Sequence, residues 1–284
     1  MTEQPETPES PRRWSRRSFL GSAGVAAGAL IAAKGWYWEP LDVRVEELVL
    51  PLAKLPPGRE LRIVQLSDLH LDHVTSYFEK VAAMANDLKP DLLLLTGDYL
   101  EQARNLKGVR QFLTLLKARH GSYAVQGNWE YWARLEGENL RRQFARAEVK
   151  LLINERIDLD IQDTPLSILG LDYPSTADNL TALQQHIDPA RVNLLLSHVP
   201  GFDHDALGSA VDLILCGHTH GGQVRLPLLP PFYLPRFSGR FTSGLFRVGP
   251  AATPLYVTRG IGTSVLPVRF LCPPEITLLR LVAA

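Results

Sequence analysis

The sequence predicts an α/β protein, a four-layer α/β/β/α sandwich of two stacked mixed β-sheets. Three observations carry this expectation. In the first half, nearly continuous apolar runs alternate with helical patterns, as parallel strands covered on both faces do. In the second half, apolar runs recur with few helices between them, which calls for a second, mixed sheet stacked on the first. A hydrophobic fraction of 45% over 284 residues supplies the core that such a sandwich needs.

Taken in order, residues 1–45 read as an N-terminal signal or anchor with its linker, and 46–284 as one domain. After a connector from Pro51 to Gly58, Arg62 to Leu66 reads as a buried strand, Tyr77 to Leu88 as a helix and Asp91 to Leu95 as a second buried strand. The stripe Val109, Phe112, Leu113 and Leu116 gives a further helix, and Tyr123-Ala124-Val125 begins a third strand. Leu151 to Ile161 and Leu166 to Leu171 read as strands, followed by a short helix around Leu180 to His186. Further strands are expected at Val192 to Leu196, Val211 to Leu215, Leu255 to Thr258 and Ile276 to Leu281.

The N-terminus carries its own message. Ser15-Arg16-Arg17-Ser18-Phe19-Leu20 precedes a mildly apolar run from Gly21 to Ala33. This resembles a twin-arginine signal, which implies export by the Tat translocase to the periplasm or the extracytoplasmic membrane face. The run is shorter than the ~20 residues of a comfortable span. Its only Ala-x-Ala site, Ala27-Gly28-Ala29, lies inside it, so an uncleaved anchor stands beside cleavage as an alternative. Lys+Arg and Asp+Glu are both 30, so nothing in the balance points to nucleic acid. Cys216 and Cys272 sit in apolar surroundings and read as buried small hydrophobes rather than a disulfide or metal ligands.

The chemistry lies where the apolar strands stop. Leu66 gives way to Ser67-Asp68-Leu69-His70, and Leu95 to Thr96-Gly97-Asp98. Val125 leads to Gln126-Gly127-Asn128, Leu196 to Ser197-His198, and Cys216 to Gly217-His218-Thr219-His220. Each piece alone is common by chance, and a lone histidine defaults to a satisfied core group. One shared site beyond the carboxyl ends of the strands explains all of them together. Asp68 and His70, two apart, point the same way in an extended segment and can chelate one ion. Carboxylate, imidazole and amide oxygen without thiolate favour Mn, Fe, Zn or Ni. The ligands outnumber what one tetrahedral ion uses, which argues for two, with Asp98 the natural bridge.

Asp68-x-His70, Gly97-Asp98, Gly127-Asn128, His198 and Gly217-His218-Thr219-His220 together resemble, in order, the signature of calcineurin-like metallophosphoesterases over residues 60–282. The resemblance implies one divalent ion on Asp68, His70, Asp98 and His220, and another on Asp98, Asn128, His198 and His218. It makes Asn128 and His218 the expected catalytic residues. A closer resemblance is to the Tat-exported YaeI- and YkuE-like phosphodiesterases. It rests on the arginine pair, Trp38-Glu39-Pro40, Gly221-Gly222-Gln223, Thr258-Arg259-Gly260-Ile261-Gly262 and Pro273-Pro274-Glu275-Ile276-Thr277. Some relatives in that group cleave the pyrophosphate of UDP-2,3-diacylglucosamine in lipid A synthesis. The implied reaction is hydrolysis of a phosphodiester or pyrophosphate by a hydroxide shared between the ions.

One position departs from the family pattern. Where the family reads Gly-Asn-His, this chain reads Gly127-Asn128-Trp129, and the missing histidine is the expected proton donor to the leaving oxygen. Indole only donates hydrogen bonds, so the substrate has a good leaving group or another residue supplies the proton, His73 and Glu130 being candidates. Trp129 either packs beneath the site or contacts the substrate. Trp129, Gln223 and Arg225 are the expected substrate contacts, and Arg259 and Arg269 divide between phosphate contact and surface charge. The proline-stiffened run Leu226 to Phe237 either packs on the second sheet or dips into a membrane surface or around acyl chains. A phosphoester or pyrophosphate hydrolase acting on a lipid-linked substrate is the leading function. A non-catalytic metal-dependent envelope binding protein is the alternative.

Overall fold

The computed structural model describes residues 32–284 together with 24, 26 and 28–30; the arginine pair and part of the apolar run after it lie outside the described residues. Two six-stranded sheets stack face to face. The first takes β1 (Arg44–Leu52), β2 (Glu60–Leu66), β3 (Leu92–Leu95), β4 (Ser122–Ala124) and β5 (Val149–Leu151). The second takes β6 (Glu155–Ile161), β7 (Thr164–Leu171), β8 (Val192–Ser197), β9 (Leu213–Cys216), β10 (Gly244–Val248) and β11 (Thr253–Val257). The last strand, β12 (Glu275–Ala283), returns to the first sheet between β1 and β2. Strands β2 to β5 run parallel, as their unbroken apolar runs predict, and β12 lies antiparallel to β2, which makes the sheet mixed. In the second sheet β7, β8, β9 and β11 are parallel, with β6 and β10 antiparallel at the edges.

Helices α1 (Ser76–Asp87), α2 (Leu106–Leu115), α3 (Asn128–Trp132) and α4 (Gly137–Ala145) follow strands of the first sheet, and α5 (Ala177–Gln184) follows β7. The two-residue period of a strand divides one leucine run between two cores. Leu93 and Leu95 of β3 face Val81 of α1, Phe112 of α2 and Phe144 of α4. Leu92 and Leu94 face the other sheet, against Ile168, Leu194 and Leu215. On the far side Leu195 and Ile214 meet Leu180 and Leu183 of α5. Each such leucine, withdrawn from water, contributes about 2 kcal/mol. The layers are α/β/β/α, as the sequence predicts, with the thinner helical layer on the second sheet.

Three elements differ from expectation. The run Leu151 to Ile161 is two strands in different sheets, because β5 pairs with β4 while β6 pairs with β7. Asn154 takes a left-handed φ of 51° at the crossover, a conformation asparagine tolerates. Gly170 makes room there, since a Cβ on it would lie 2.3 Å from Leu152 Cβ. The connector from Pro51 holds the end of β1, an edge strand where proline's missing N–H is harmless. β1 begins at Arg44 and follows two helical turns, Lys34–Trp38 and Glu39–Leu41. Those turns are pinned by Arg269 N–H to Gly35 O (2.9 Å) and Cys272 N–H to Glu39 Oε1 (2.6 Å).

Candidate metal centre

The carboxyl ends of β2, β3, β4, β8 and β9 meet along one rim of the sandwich. The loop after β2 presents Asp68 and His70, that after β3 Asp98, and the turn from β4 into α3 Asn128. The ends of β8 and β9 present His198, His218 and His220. The loops are hydrogen-bonded to each other past the sheet: Asp68 N–H to Gly97 O (2.9 Å), His70 N–H to Asp98 O (3.1 Å), Ile261 N–H to Ser67 O (3.0 Å). Five of the seven candidate ligands occupy left-handed backbone, with φ of 52° at Asp68, 43° at His70, 56° at Asp98, 73° at His218 and 50° at His220. Such residues cost of order 1–3 kcal/mol each and persist where the surroundings over-determine them.

The structure brings all seven side chains together. His70 Nε2 stands 3.1 Å from His220 Nε2, which is 3.5 Å from Asp68 Oδ1. His198 Nε2 stands 3.0 Å from His218 Nδ1, 3.1 Å from Asn128 Oδ1 and 3.2 Å from Asp98 Oδ2. The same Asp98 oxygen lies 3.8 Å from His70 Nε2, so one carboxylate oxygen faces both groups. The sequence assigned Asp98 that bridging position.

Hydrogen bonding shows that this donor set fits cations. His198 Nδ1 donates to Thr96 O at 2.7 Å, which leaves Nε2 bare when the ring is neutral. His218 Nε2 donates to Arg236 O at 2.7 Å, which leaves Nδ1 bare. Two imidazole lone pairs, an amide oxygen and a carboxylate oxygen therefore converge on one point, and only a positive charge satisfies them. Burial alone would lower His198, but Asp98 pushes it up to about 9, so that a proton stands in for a cation there. Burial alone would raise Asp98, but His198 holds it below its ordinary value. Burial and His198 push His218 down to about 4, and burial and His70 drive His220 below its ordinary range. At neutral pH both rings are unprotonated, as ligation requires. On the other side, Glu101 Oε1 lies within 3.3 Å of His70 Nδ1.

Close packing positions the loops. A Cβ on Gly97 would lie 2.6 Å from His198 Nδ1, on Gly127 2.2 Å from Asp98 Oδ1, and on Gly217 2.4 Å from Asp68 Oδ2. Glu130 was a candidate proton donor, but it is buried and spends both oxygens on backbone N–H groups. It accepts from Tyr99 and Gly127 at 2.7 Å each and from Asp98 at 3.1 Å. Burial and Asp98 push its carboxyl up to about 7, against the pull of those donors. Arg269 is neither a phosphate contact nor surface charge. It is fully buried and donates to the carbonyls of Arg259 (2.8 Å), Gly260 (3.2 Å), Gly262 (3.1 Å) and Cys272 (3.1 Å). The loop it clasps presses Gly260 against Asp68, where a Cβ would sit 2.6 Å from Asp68 Cβ. Arg259 is likewise tied to Glu46 (2.6 Å) and Glu275 (3.2 Å).

Trp129 stands at the site, half-buried, with its ring edge-on to His70 at 5.8 Å and to Trp132 at 5.0 Å. Its backbone N–H donates to Asp98 Oδ1 at 2.9 Å. Gln223 does not offer its amide to a substrate: Nε2 donates to Leu266 O (3.2 Å) and Oε1 accepts from Ser264 N–H (2.6 Å). Arg225 is half-buried and reaches Ser243 Oγ at 3.5 Å. His73 is exposed beyond the first metal motif. Cys216 and Cys272 are free and buried, as expected. The Thr96 and Arg236 carbonyls that fix the histidine rings left no trace in the sequence, since any side chain carries a carbonyl.

Residues 61–222 match the family model described as calcineurin-like phosphoesterase. A Bacillus subtilis protein named as the uncharacterized metallophosphoesterase YkuE is 32% identical over 95% of this chain and 98% of its own length. Another from that organism, YkoQ, also named an uncharacterized metallophosphoesterase, is 30% identical over 83% of this chain and 89% of its own. The UDP-2,3-diacylglucosamine pyrophosphatase LpxG of Chlamydia trachomatis is 27% identical over 91% of this chain and 98% of its own length.

Proposed function

Because the chain belongs to the calcineurin-like phosphoesterase family, hydrolases of phosphoester bonds that use two divalent metal ions, we propose that it cleaves a phosphodiester or pyrophosphate bond in a lipid-linked envelope substrate. The observation that carries this reading is the convergence of bare nitrogens and oxygens around Asp98 Oδ2, with Trp129 beside it where the family has a histidine. Asp68, His70, Asp98 and His220 would hold one ion, and Asp98, Asn128, His198 and His218 the other. When bound, the two ions supply Lewis acidity and a water acidic enough to attack phosphorus near neutral pH.

The chain's own residues do the rest. Thr96 O and Arg236 O fix the tautomers of His198 and His218, so each ring turns a lone pair inward. The seven ligands include only two carboxylates, Asp68 and Asp98, so the loaded pocket keeps net positive charge for a phosphate anion. Trp129 packs edge-on to His70 at 5.8 Å and cannot protonate a leaving oxygen. That favours a departing group that needs no proton, such as the phosphate of a pyrophosphate.

UDP-2,3-diacylglucosamine has this chemistry and is the substrate printed in the name of LpxG. We place the chain, through its twin-arginine sequence, in the periplasm or on the extracytoplasmic membrane face. There lipid-linked pyrophosphates other than that cytoplasmic nucleotide are the more accessible class. The full set of ligands weighs against a non-catalytic binding protein. The test is turnover by purified full-length protein loaded with Mn, Zn, Fe or Ni, on bis-p-nitrophenyl phosphate and on UDP-2,3-diacylglucosamine. No turnover of any ester with two metals bound per chain would overturn the reading.

A further inference from the structure

The exposed apolar side chains of this protein are not scattered. Among the described residues, all the large exposed hydrophobics except Val45, Val49, Trp132 and Leu245 fall on three segments, 30–41, 226–237 and 265–271. These segments are far apart in sequence and stitched together in space. The first is bound to the third through Gly35 O and Arg269 N–H (2.9 Å), with Lys34 Nζ 5.8 Å above the Phe270 ring. The third is bound to the start of the second through Arg225 N–H and Phe270 O (2.8 Å) and the Val224–Phe270 bridge. Gln223 reaches across to Leu266 O, and a Cβ on Gly222 would lie 2.5 Å from Pro231. The sequence left open whether Leu226 to Phe237 packs on the second sheet or faces outward. Leu228 is 103% exposed, Phe232 69% and Tyr233 72%, so this run faces outward.

We propose that this face lies on a lipid bilayer, with the metal rim at its border. The chain supplies three separate arguments for a bilayer rather than a protein partner. The uncharged run Gly21 to Ala33 overlaps the start of the first segment. That segment then presents Trp36, Tyr37 and Trp38, each with an exposed ring, the residue types that settle at the level of lipid headgroups. Between Asp212 and Glu275 the chain has no Asp or Glu, and Arg236 and Arg240 bear exposed cations beside the apolar loops, while the exposed Lys34 lies 3.8 Å from Glu39. Apolar loops rimmed by aromatic rings and by arginines that pair with no carboxylate among the described residues match an anionic lipid surface. His220 is three residues before Gln223, and the Arg236 carbonyl holds His218, so the metal ligands and the apolar loops share one stretch of chain. The inference rests on the lipid-linked reading for its purpose only; its evidence is the surface itself.

The test uses the full chain with an environment-sensitive dye on one introduced cysteine. Cys216 and Cys272 are buried, so the dye goes to Leu228→Cys, to Val265→Cys or, on the edge of the first sheet, to Val49→Cys. Vesicles of phosphatidylethanolamine and phosphatidylglycerol are added, and emission shift and shielding from an aqueous quencher are read without any substrate. The expected result is a blue shift and several-fold shielding at positions 228 and 265 and none at 49, with binding weakened by salt. Labelled proteins must keep the parent's unfolding temperature, and Leu229→Ser with Phe232→Ser should reduce the bound fraction several-fold. A protein that binds vesicles while the dyes at 228 and 265 stay in water, anchored by its N-terminal run alone, overturns the proposal. So does a blue shift at 228 that grows with protein concentration before vesicles are added, which would mean a second copy covers the face. Failure to hydrolyse any ester would leave this result untouched, and loss of vesicle contact would leave the esterase reading untouched.

Discussion

Arg269→Met tests whether the metal loops are held from behind. The guanidinium is fully buried, and among the described residues no carboxylate pairs with it. Methionine keeps much of the volume but donates nothing to the four carbonyls now served. The Gly260 carbonyl keeps a bond from Glu275 N–H at 3.0 Å. The carbonyls of Arg259, Gly262 and Cys272 lose their guanidinium donor. At ~1–3 kcal/mol for each buried group left unsatisfied, the gross loss is about 3–9 kcal/mol. Removing a charge from the interior returns part of that, so a net destabilisation of about 2–5 kcal/mol is expected. A domain of this size shifts its Tm by ~2–4 °C per kcal/mol, so unfolding should come about 5–20 °C earlier. The loop that Gly260 presses on Asp68 should also loosen, weakening metal binding by about tenfold or more, as loss of support behind a ligand does. Differential scanning calorimetry and metal titration measure both effects. Arg269→Lys, which keeps the charge and can reach one or two carbonyls, should fall between parent and methionine. Parent-like unfolding together with unchanged affinity for both ions would refute this account of the clamp.

Further expectations follow from the same geometry. Trp129→His should raise the rate on esters with poor leaving groups relative to good ones, by about a hundredfold if the new imidazole acts as a general acid; equal rates on both classes would remove the leaving-group argument. Chelating the metals leaves a single proton on His198 to hold acceptors that two divalent ions would hold, so the stripped protein should unfold at a lower temperature and regain stability on adding Mn or Zn. A melting temperature that ignores chelator would count against the cation site. Burial lowers the pKa of His204, whose ring lies 4.4 Å from Phe202 and 5.4 Å from Phe241. A group depressed on folding stabilises above its unfolded pKa, so stability should fall as pH drops below about 6.5, through the lower folded value. His204→Phe should lack that portion of the acid loss in urea titrations run at several pH values. Gly217→Ala would place a methyl 2.4 Å from Asp68 Oδ2, so it should cost the metal held by Asp68 while the strands survive, as metal content per folded chain would show.

Much of the site was legible because each ligand stands where an apolar run ends, and a parallel strand buried on both faces cannot end in Asp or His without a reason. Asp68, His70 and Asp98 come from neighbouring strands of one sheet and His198, His218 and His220 from the other, so their meeting followed once the sheets were stacked. The supports behind them were not legible. Thr96 and Arg236 act through backbone carbonyls, which leave no residue signature. Arg269 reads as any surface arginine until the loop around it closes. Gln223 was expected to touch substrate and instead ties down the chain at 264–266, because its exposure depends on a loop more than forty residues away. The break between β5 and β6 was hidden for a related reason: an apolar run that changes sheets looks like a strand that does not.

The left-handed backbone at Asp68 and Asp98 decides how this centre should be probed. Alanine at either position removes a ligand and also places a side chain that resists that conformation into a loop pinned at both ends. Its phenotype would mix lost coordination with a relaxed backbone. Asparagine accepts the same φ at little cost and keeps one oxygen in place. Asp68→Asn and Asp98→Asn are therefore the pair that separates charge from shape, and their difference from the alanine variants measures what the backbone itself contributes.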